Sequence, residues 1–127
     1  MYADEINPKL MLENMEPLFV KYNVNMILSG HDHAYMRTHP MIGKKRDLSN
    51  KGPIYFTLGA GGNRELHAKG YVHRRQEPWV AKRDNDEYGF GNLFLANSTH
   101  AHFTWVRDGT TTKGIQDDFW LMNQLYL

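Results

Sequence analysis

Apolar residues Met11, Met15, Leu18, Phe19 and Tyr22 recur at steps of three and four, which draws one stripe along an amphipathic helix. Asn7 followed by Pro8 offers an N-cap and a proline at the first helical position, so helical structure is expected over residues 8–22 with the stripe buried. Pro17 falls inside this pattern, removes a backbone donor, and should kink the helix or restart it after Glu16. Residues 24–29 (VNMILS) then form a short, nearly continuous apolar run, the signature of a buried strand in an α/β sheet, and it ends at Gly30.

From residue 36 to 51 the chain turns polar, with Gly43, Lys44, Lys45, Arg46 and Asp47 clustered, and this stretch reads as an exposed loop with a solvated charge run. Residues 53–58 (PIYFTL) are β-branched and aromatic and predict a second strand running into Gly59-Ala60-Gly61-Gly62-Asn63. A glycine-rich turn after a strand can cradle phosphate, but the lysine and hydroxyl residue of a nucleotide P-loop are absent, so close backbone packing is its expected role. Residues 64–87 are polar and irregular. Residues 92–97 and 101–107 alternate apolar and polar around Asn97-Ser98-Thr99-His100, a hairpin signal, and a last short strand is expected over 119–123 after a threonine-rich turn at 109–114. One helix followed by about five strands places the chain in the α/β class.

With 127 residues, 41% hydrophobic and 23% charged, the chain is expected to form a single folded domain over 1–127. A net charge of +1 gives no basic surface for nucleic acid. No apolar run reaches the roughly 18 residues that span a bilayer, so no membrane partner is expected, and the start (MYADEINPK) lacks a signal-peptide layout. With no cysteine, any metal must sit on nitrogen and oxygen donors. Asn97-Ser98-Thr99 fits a glycosylation sequon, relevant in a secreted protein.

Chemistry concentrates at Gly30-His31-Asp32-His33, the end of the first predicted strand. If the backbone stays extended there, side chains two apart project to one side, and His31 and His33 can reach one small volume. Carboxyl ends of strands in open α/β sheets are where ligand crevices form, and neutral imidazole suits zinc, iron, manganese and copper. A second pair, His100 and His102, lies at the predicted hairpin turn and reads as structural, while His39, His67 and His73 lie in predicted loops as exposed or locally bonded side chains.

Around these histidines the segment EPLFVKYNVNMILSGHDHAYMR resembles the stretch of purple acid phosphatases leading into their Gly-His-x-His-Ala-Tyr motif. GPIYFTLGAGGNRE is similar to their glycine-rich strand and turn, and YGFGNLFLANSTHAHFTWVRD and DDFWLMNQ to their final hairpin and closing strand. Four blocks in order, from Glu16 to Gln124, carry the resemblance. It implies the C-terminal half of a four-layer αββα metallophosphoesterase sandwich and a phosphate ester substrate in the parent protein. It also implies a dinuclear centre of Fe(III) with Zn, Mn or Fe(II), to which His31 would give the divalent ligand and His33 the ferric one. Asp32, Tyr35 and Arg37 would support those ligands from behind, and the compartment implied is secreted or lysosomal/vacuolar.

The chain also departs from the family's pattern. The aspartate, tyrosine, asparagine and further histidine ligands of the upstream motifs have no counterpart, Met36 stands where a glutamate is common, and Ala60 where an aspartate is usual. Two imidazoles alone do not hold two metals tightly. The chain by itself is therefore expected to be inactive, needing a missing N-terminal half or a second copy over its uncovered sheet. The alternative is a non-catalytic module that binds a metal or a protein.

Overall fold

The computed structural model describes residues 9–64, 66, 75–108 and 113–127. Asn7, Pro8, His67 and His73, and the 109–112 part of the predicted turn, lie outside the described residues. Among the described residues, no helix is long and apolar enough to cross a membrane.

Lys9 and Leu10 are already helical, a π-turn follows over Met11–Met15, and the helix continues as α1, Glu16–Lys21. Pro17 explains the change of pitch, since its missing N–H cannot close the usual bond, and the Glu16 N–H instead donates one residue further back to the Met11 carbonyl. The proline is thus absorbed by a π-turn instead of restarting the helix. The apolar stripe is not buried as predicted: Met11, Leu18 and Tyr22 are 45%, 44% and 67% exposed, because no described element lies over them.

Nine strands follow among the described residues: β1 (Met26–Ser29), β2 (Tyr35–Thr38), β3 (Met41–Ile42), β4 (Lys45–Arg46), β5 (Ile54–Leu58), β6 (Val80–Asp84), β7 (Gly89–Leu95), β8 (His100–Asp108) and β9 (Lys113–Met122). The five expected strands are all present, the last one starting earlier than predicted. Two expectations are corrected. The stretch 36–51, read as exposed loop, contains most of β2 and the β3–β4 hairpin, and the irregular stretch 64–87 contains β6. β2 looks polar yet is a central strand, because its Arg37 and Thr38 are buried with internal partners: Asp117 for the arginine, and for the threonine hydroxyl the Tyr55 N–H. The β3–β4 turn has Gly43 and Lys44 both at positive φ (60° and 65°), the signature of a type I′ hairpin.

The first sheet runs β1-β5-β2-β6, with β1 parallel to β5 and the other pairs antiparallel. The second is the meander β7-β8-β9. Between them lies a core of Tyr35, Ile54, Phe56, Ala60, Phe103, Trp105 and Leu121. Tyr35 stacks on Trp105 with ring centres 4.5 Å apart, and Phe56 meets Phe103 at 4.6 Å. This is the mixed α/β architecture expected, with two β-layers face to face.

Two buried carboxylates also bridge the sheets. Asp117 on β9 accepts from the Tyr35 hydroxyl at 2.6 Å and from Arg37 Nε and Nη2 at 2.8 and 3.0 Å. Asp84 on β6 accepts from Arg107 Nε and Nη2 at 2.6 and 2.7 Å and from the Trp105 indole N–H at 3.1 Å. Burial pushes both carboxyls up, but the arginine and other hydrogen bonds outweigh it and hold them below the ordinary aspartate value.

Because β5 lies between β1 and β2, the connection 30–34 must pass over the carboxyl end of β5. There the Gly59 N–H donates to the Ala34 carbonyl at 3.1 Å, and a Cβ on Gly59 would strike the Asp32 carbonyl. The Gly59→Ala protein is expected to lose roughly 1–3 kcal/mol of stability, the usual cost of overpacking. Denaturant unfolding checks this, and an unchanged midpoint would contradict the close approach. The acid behaviour follows from the carboxylates. A folded-state value below the unfolded one contributes stability that is complete above the unfolded value and is lost as pH falls through the folded value. The thermal midpoint should therefore decline only below about pH 4 as Asp84 and Asp117 take up protons. Scanning calorimetry across pH 7 to 2.5 tests this, and a midpoint that rises on acidification in that range is the contrary result.

Candidate metal centre

β1 ends at Ser29, whose hydroxyl donates to the Phe56 carbonyl at 3.2 Å, fixing the point where the chain leaves the sheet. The next residues are not extended. Positions 31–34 form a bend in which the Asp32 N–H donates to the Gly30 carbonyl at 3.1 Å and the Ala34 N–H to the Asp32 carbonyl at 2.8 Å. These are two successive three-residue turns, and His31, at the centre of the first, has φ 76°, the strained left-handed form. The argument from period-two alternation therefore does not apply to His31 and His33. A bend of this kind costs of order 1–3 kcal/mol for a non-glycine residue, and such strain clusters where a side chain must be aimed.

His31 is exposed and His33 half-buried. His33 Nδ1 lies 3.0 Å from the Leu66 carbonyl oxygen. A carbonyl only accepts, so Nδ1 must carry the proton, which leaves Nε2 with its lone pair as the ring's ligand atom. Metal-binding histidines commonly have this arrangement, one nitrogen held by a backbone carbonyl and the other free. The loop supplying Leu66 begins at Gly59 and passes through Gly62, at φ 122°. It is anchored where the Gly89 N–H donates to the Ala60 carbonyl at 3.0 Å. The side-chain nitrogen and oxygen of Asn63, in the same loop, are both buried without a hydrogen-bond partner.

The remaining predicted residues divide. Asp32 contributes its backbone to the bend, and its carbonyl is what Gly59 packs under. Tyr35 and Arg37 turn into the interior and bind Asp117, and the Arg37 guanidinium also lies 4.1 Å from the Phe119 ring centre. Asp117 and Asp84 escaped the sequence reading. Their immediate neighbours are polar, Arg83 and Asn85 for Asp84 and Gln116 and Asp118 for Asp117, so nothing local in the sequence marks either as buried.

His102 stacks on Trp120 at 4.6 Å with its Nε2 2.8 Å from Asp118 Oδ1, and His100 Nδ1 lies 2.7 Å from the Thr99 hydroxyl, so both rings are engaged locally. His39, expected in a loop, is half-buried after β2; burial, then the nearby Arg46 and Arg37 charges, lowers its pKa. Asn97 is exposed at the β7–β8 turn, where its Oδ1 accepts from the Thr99 N–H, the Thr99 hydroxyl and the His100 N–H at 2.9, 2.7 and 2.9 Å.

Among the described residues no three His, Asp or Glu side chains converge as a metal cage. The donor chemistry fits part of a centre: two imidazoles on one bend, one with its unprotonated nitrogen assigned, short of a full ligand set among the described residues.

Comparison with known proteins gives the setting. A sequence profile described as iron/zinc purple acid phosphatase-like protein C matches residues 52–117. "Purple acid phosphatase 18" of Arabidopsis thaliana is 39% identical over 111 residues, covering 87% of this chain and 24% of that protein. "Fe(3+)-Zn(2+) purple acid phosphatase 12" of the same plant is 32% identical over 120 residues, covering 87% and 25%. A solved purple acid phosphatase from yellow lupin (Lupinus luteus) seeds superposes with a TM-score of 0.67 at 23% identity, over 83% of this chain and 19% of that one, and so shares the fold. The chain thus spans about a quarter of the length of these curated relatives. With the profile matching over half its length and the relatives over most of it, the chain belongs to the purple acid phosphatase family and carries its C-terminal domain.

Proposed function

We propose that this chain supplies the histidine arm of a dinuclear metal centre in a phosphatase that hydrolyses phosphate monoesters at acidic pH. The observation that carries the reading is the His33 ring, pinned through Nδ1 to the Leu66 carbonyl with Nε2 left free, on a strained bend beyond the carboxyl end of β1. His33 would hold Fe(III), and His31 its divalent neighbour, Zn, Mn or Fe(II). The Fe(3+)-Zn(2+) designation of one relative supports that choice of metals. When bound, such a centre supplies Lewis-acid charge for a phosphoryl oxygen and makes water a better nucleophile at low pH. The chain's own part is to aim two nitrogen donors, keep the His33 tautomer fixed, and back the bend with the Gly59 to Leu66 loop. Oxygen ligands must come from elsewhere.

The uncovered surfaces favour an added partner. β1 is a sheet edge, and the helix that precedes it exposes its apolar stripe. β7 (GFGNLFL) is a free edge with no charge and no proline, and its Phe94 and Leu95 are 64% and 72% exposed. Such an edge pairs readily with another strand. An N-terminal part of the same protein, such as the three quarters by which the curated relatives exceed this chain, or a second copy, would cover these surfaces. A protein-binding module derived from the fold would present them too, and differs in having no need of His31.

We further propose that Asn97 carries an N-linked glycan in a secreted or lysosomal/vacuolar protein. Its exposure at a hairpin turn and the Thr99 hydroxyl on its Oδ1 support this.

The chain alone, assayed with p-nitrophenyl phosphate and added iron and zinc, should turn over no faster than its His31→Ala control, and clear excess turnover would refute the missing-ligand reading. Within a full-length enzyme, His31→Ala or His33→Ala should cost more than the about 10–100-fold that outer-shell changes cost. Near-normal kcat/KM in either variant would remove the metal assignment. Sedimentation of the isolated chain should show a dimer or larger assembly, and a compact monomer is the opposing outcome. Protein recovered from the medium of secreting cells should lose mass on treatment with peptide-N-glycosidase, and Thr99→Ala should abolish the shift; an unmodified wild-type peptide at Asn97 would end that proposal.

A further inference from the structure

We propose that Asp117 is a positioning residue for the histidine bend, acting through Tyr35 and Arg37 on β2. The inference rests on the metal reading above. The bend spans two strand spacings, from β1 across β5 to β2, and contains a residue in the left-handed region, so it keeps its shape only if both ends are fixed. The upstream end is fixed by the ladder of β1 with β5 and by the Ser29 hydroxyl on the Phe56 carbonyl.

The downstream end is less secure by its ladder alone. β2 pairs regularly with β5 only over Tyr35, Met36 and Arg37, and its pairing with β6 shifts register between Arg37 and Thr38. A bulge of this kind re-aims a strand and locally disrupts its ladder. Asp117 reaches across from the other sheet to the residues concerned. It takes the hydroxyl of Tyr35, which follows the bend immediately, and two guanidinium nitrogens, Nε and Nη2, of Arg37, which sits at the register shift. Because the three contacts come from one buried carboxylate, they fix β2 along its length as well as toward the core. Ala34, the residue before Tyr35, is in turn the acceptor for Gly59, where the loop carrying the His33 anchor starts.

Asp117 also glues the sheets together, and a purely structural role must be told apart. The molecule contains its own control. Asp84 bridges the same two sheets and lies directly opposite Tyr35 in the β2–β6 ladder, equally near the bend, yet its carboxylate is taken by Arg107, Trp105 and the Asp86 N–H and not by the Tyr35 or Arg37 side chain. Tyr35→Phe removes one hydroxyl while sparing the Trp105 stack and the Arg37–Asp117 pair, so it keeps the test open if Asp117→Asn fails to fold.

The measurement is long-range nitrogen–proton NMR of the histidine rings in the 127-residue chain at pH 8, with amide exchange at Gly59. Wild type should show His33 as the Nδ1–H tautomer. Tyr35→Phe should move it toward the mixed tautomers of free imidazole and speed Gly59 exchange by about tenfold relative to core amides. Asp84→Asn should lower the melting temperature at least as much and leave both signatures in place. The proposal is overturned if Tyr35→Phe leaves both unchanged, or if Asp84→Asn disturbs them equally. A Zn2+ titration separates the two layers: wild-type His31 and His33 rings indifferent to Zn2+, with the Tyr35→Phe effect intact, would remove the metal reading and leave the mechanical link.

Discussion

The structure depends on the contact between Tyr35 and Trp105. One ring comes from the central region of the four-stranded sheet and the other from the middle strand of the meander, and they lie nearly parallel, 5° apart. Each ring is also a polar anchor, the tyrosine hydroxyl to Asp117 and the indole N–H to Asp84. Both carboxylates are then closed by an arginine in two-point contact. Burying a charge is costly unless it is paired and hydrogen-bonded, and here Asp117 meets three donor atoms and Asp84 four, the fourth being the Asp86 N–H. The same arrangement that joins the layers also fixes their relative position, because a two-point arginine contact tolerates little sliding.

Periodicity made much of this fold legible. The helix, the VNMILS and PIYFTL strands and the final hairpin all follow patterns that a single buried face imposes on sequence. What stayed hidden was β2. Its letters YMRT carry a positive charge and a hydroxyl, and polarity in a short segment reads as solvent exposure. That inference fails when the partner is distant in sequence, as Asp117 is from Arg37, 80 residues away. β6, with Lys82, Arg83 and Asp84, was hidden for the same reason.

The candidate site was legible in a different sense. Its two histidines and its place at a strand end could be read directly, whereas the geometry assumed for them was wrong. An extended Gly-His-x-His would present both rings by alternation; the chain instead makes two tight turns and puts His31 at positive φ. Nothing in the letters HDH signals this. The reason is topological: β5 is inserted between β1 and β2, so five residues must climb over its end, and glycine at 59 is what lets them pass close to it. The Leu66 carbonyl that selects the His33 tautomer is a backbone atom 33 residues away, and backbone partners leave no trace in side-chain patterns.

A division of labour follows from the way donors are distributed. The chain offers nitrogen at one bend and keeps Asp84 and Asp117 occupied with arginines, so these two buried carboxylates are structural. A centre holding Fe(III) needs oxygen around it, and under the proposed function those ligands would come from whatever covers the exposed helix stripe and the edges of β1 and β7. Assembly and metal binding would then be coupled, since no metal cage converges among the described residues of a chain whose apolar surface is uncovered. Holding the bend by Asp117 from inside the core lets the histidines keep their aim before that partner arrives, so that the ordering entropy of the bend is already spent when the metals bind.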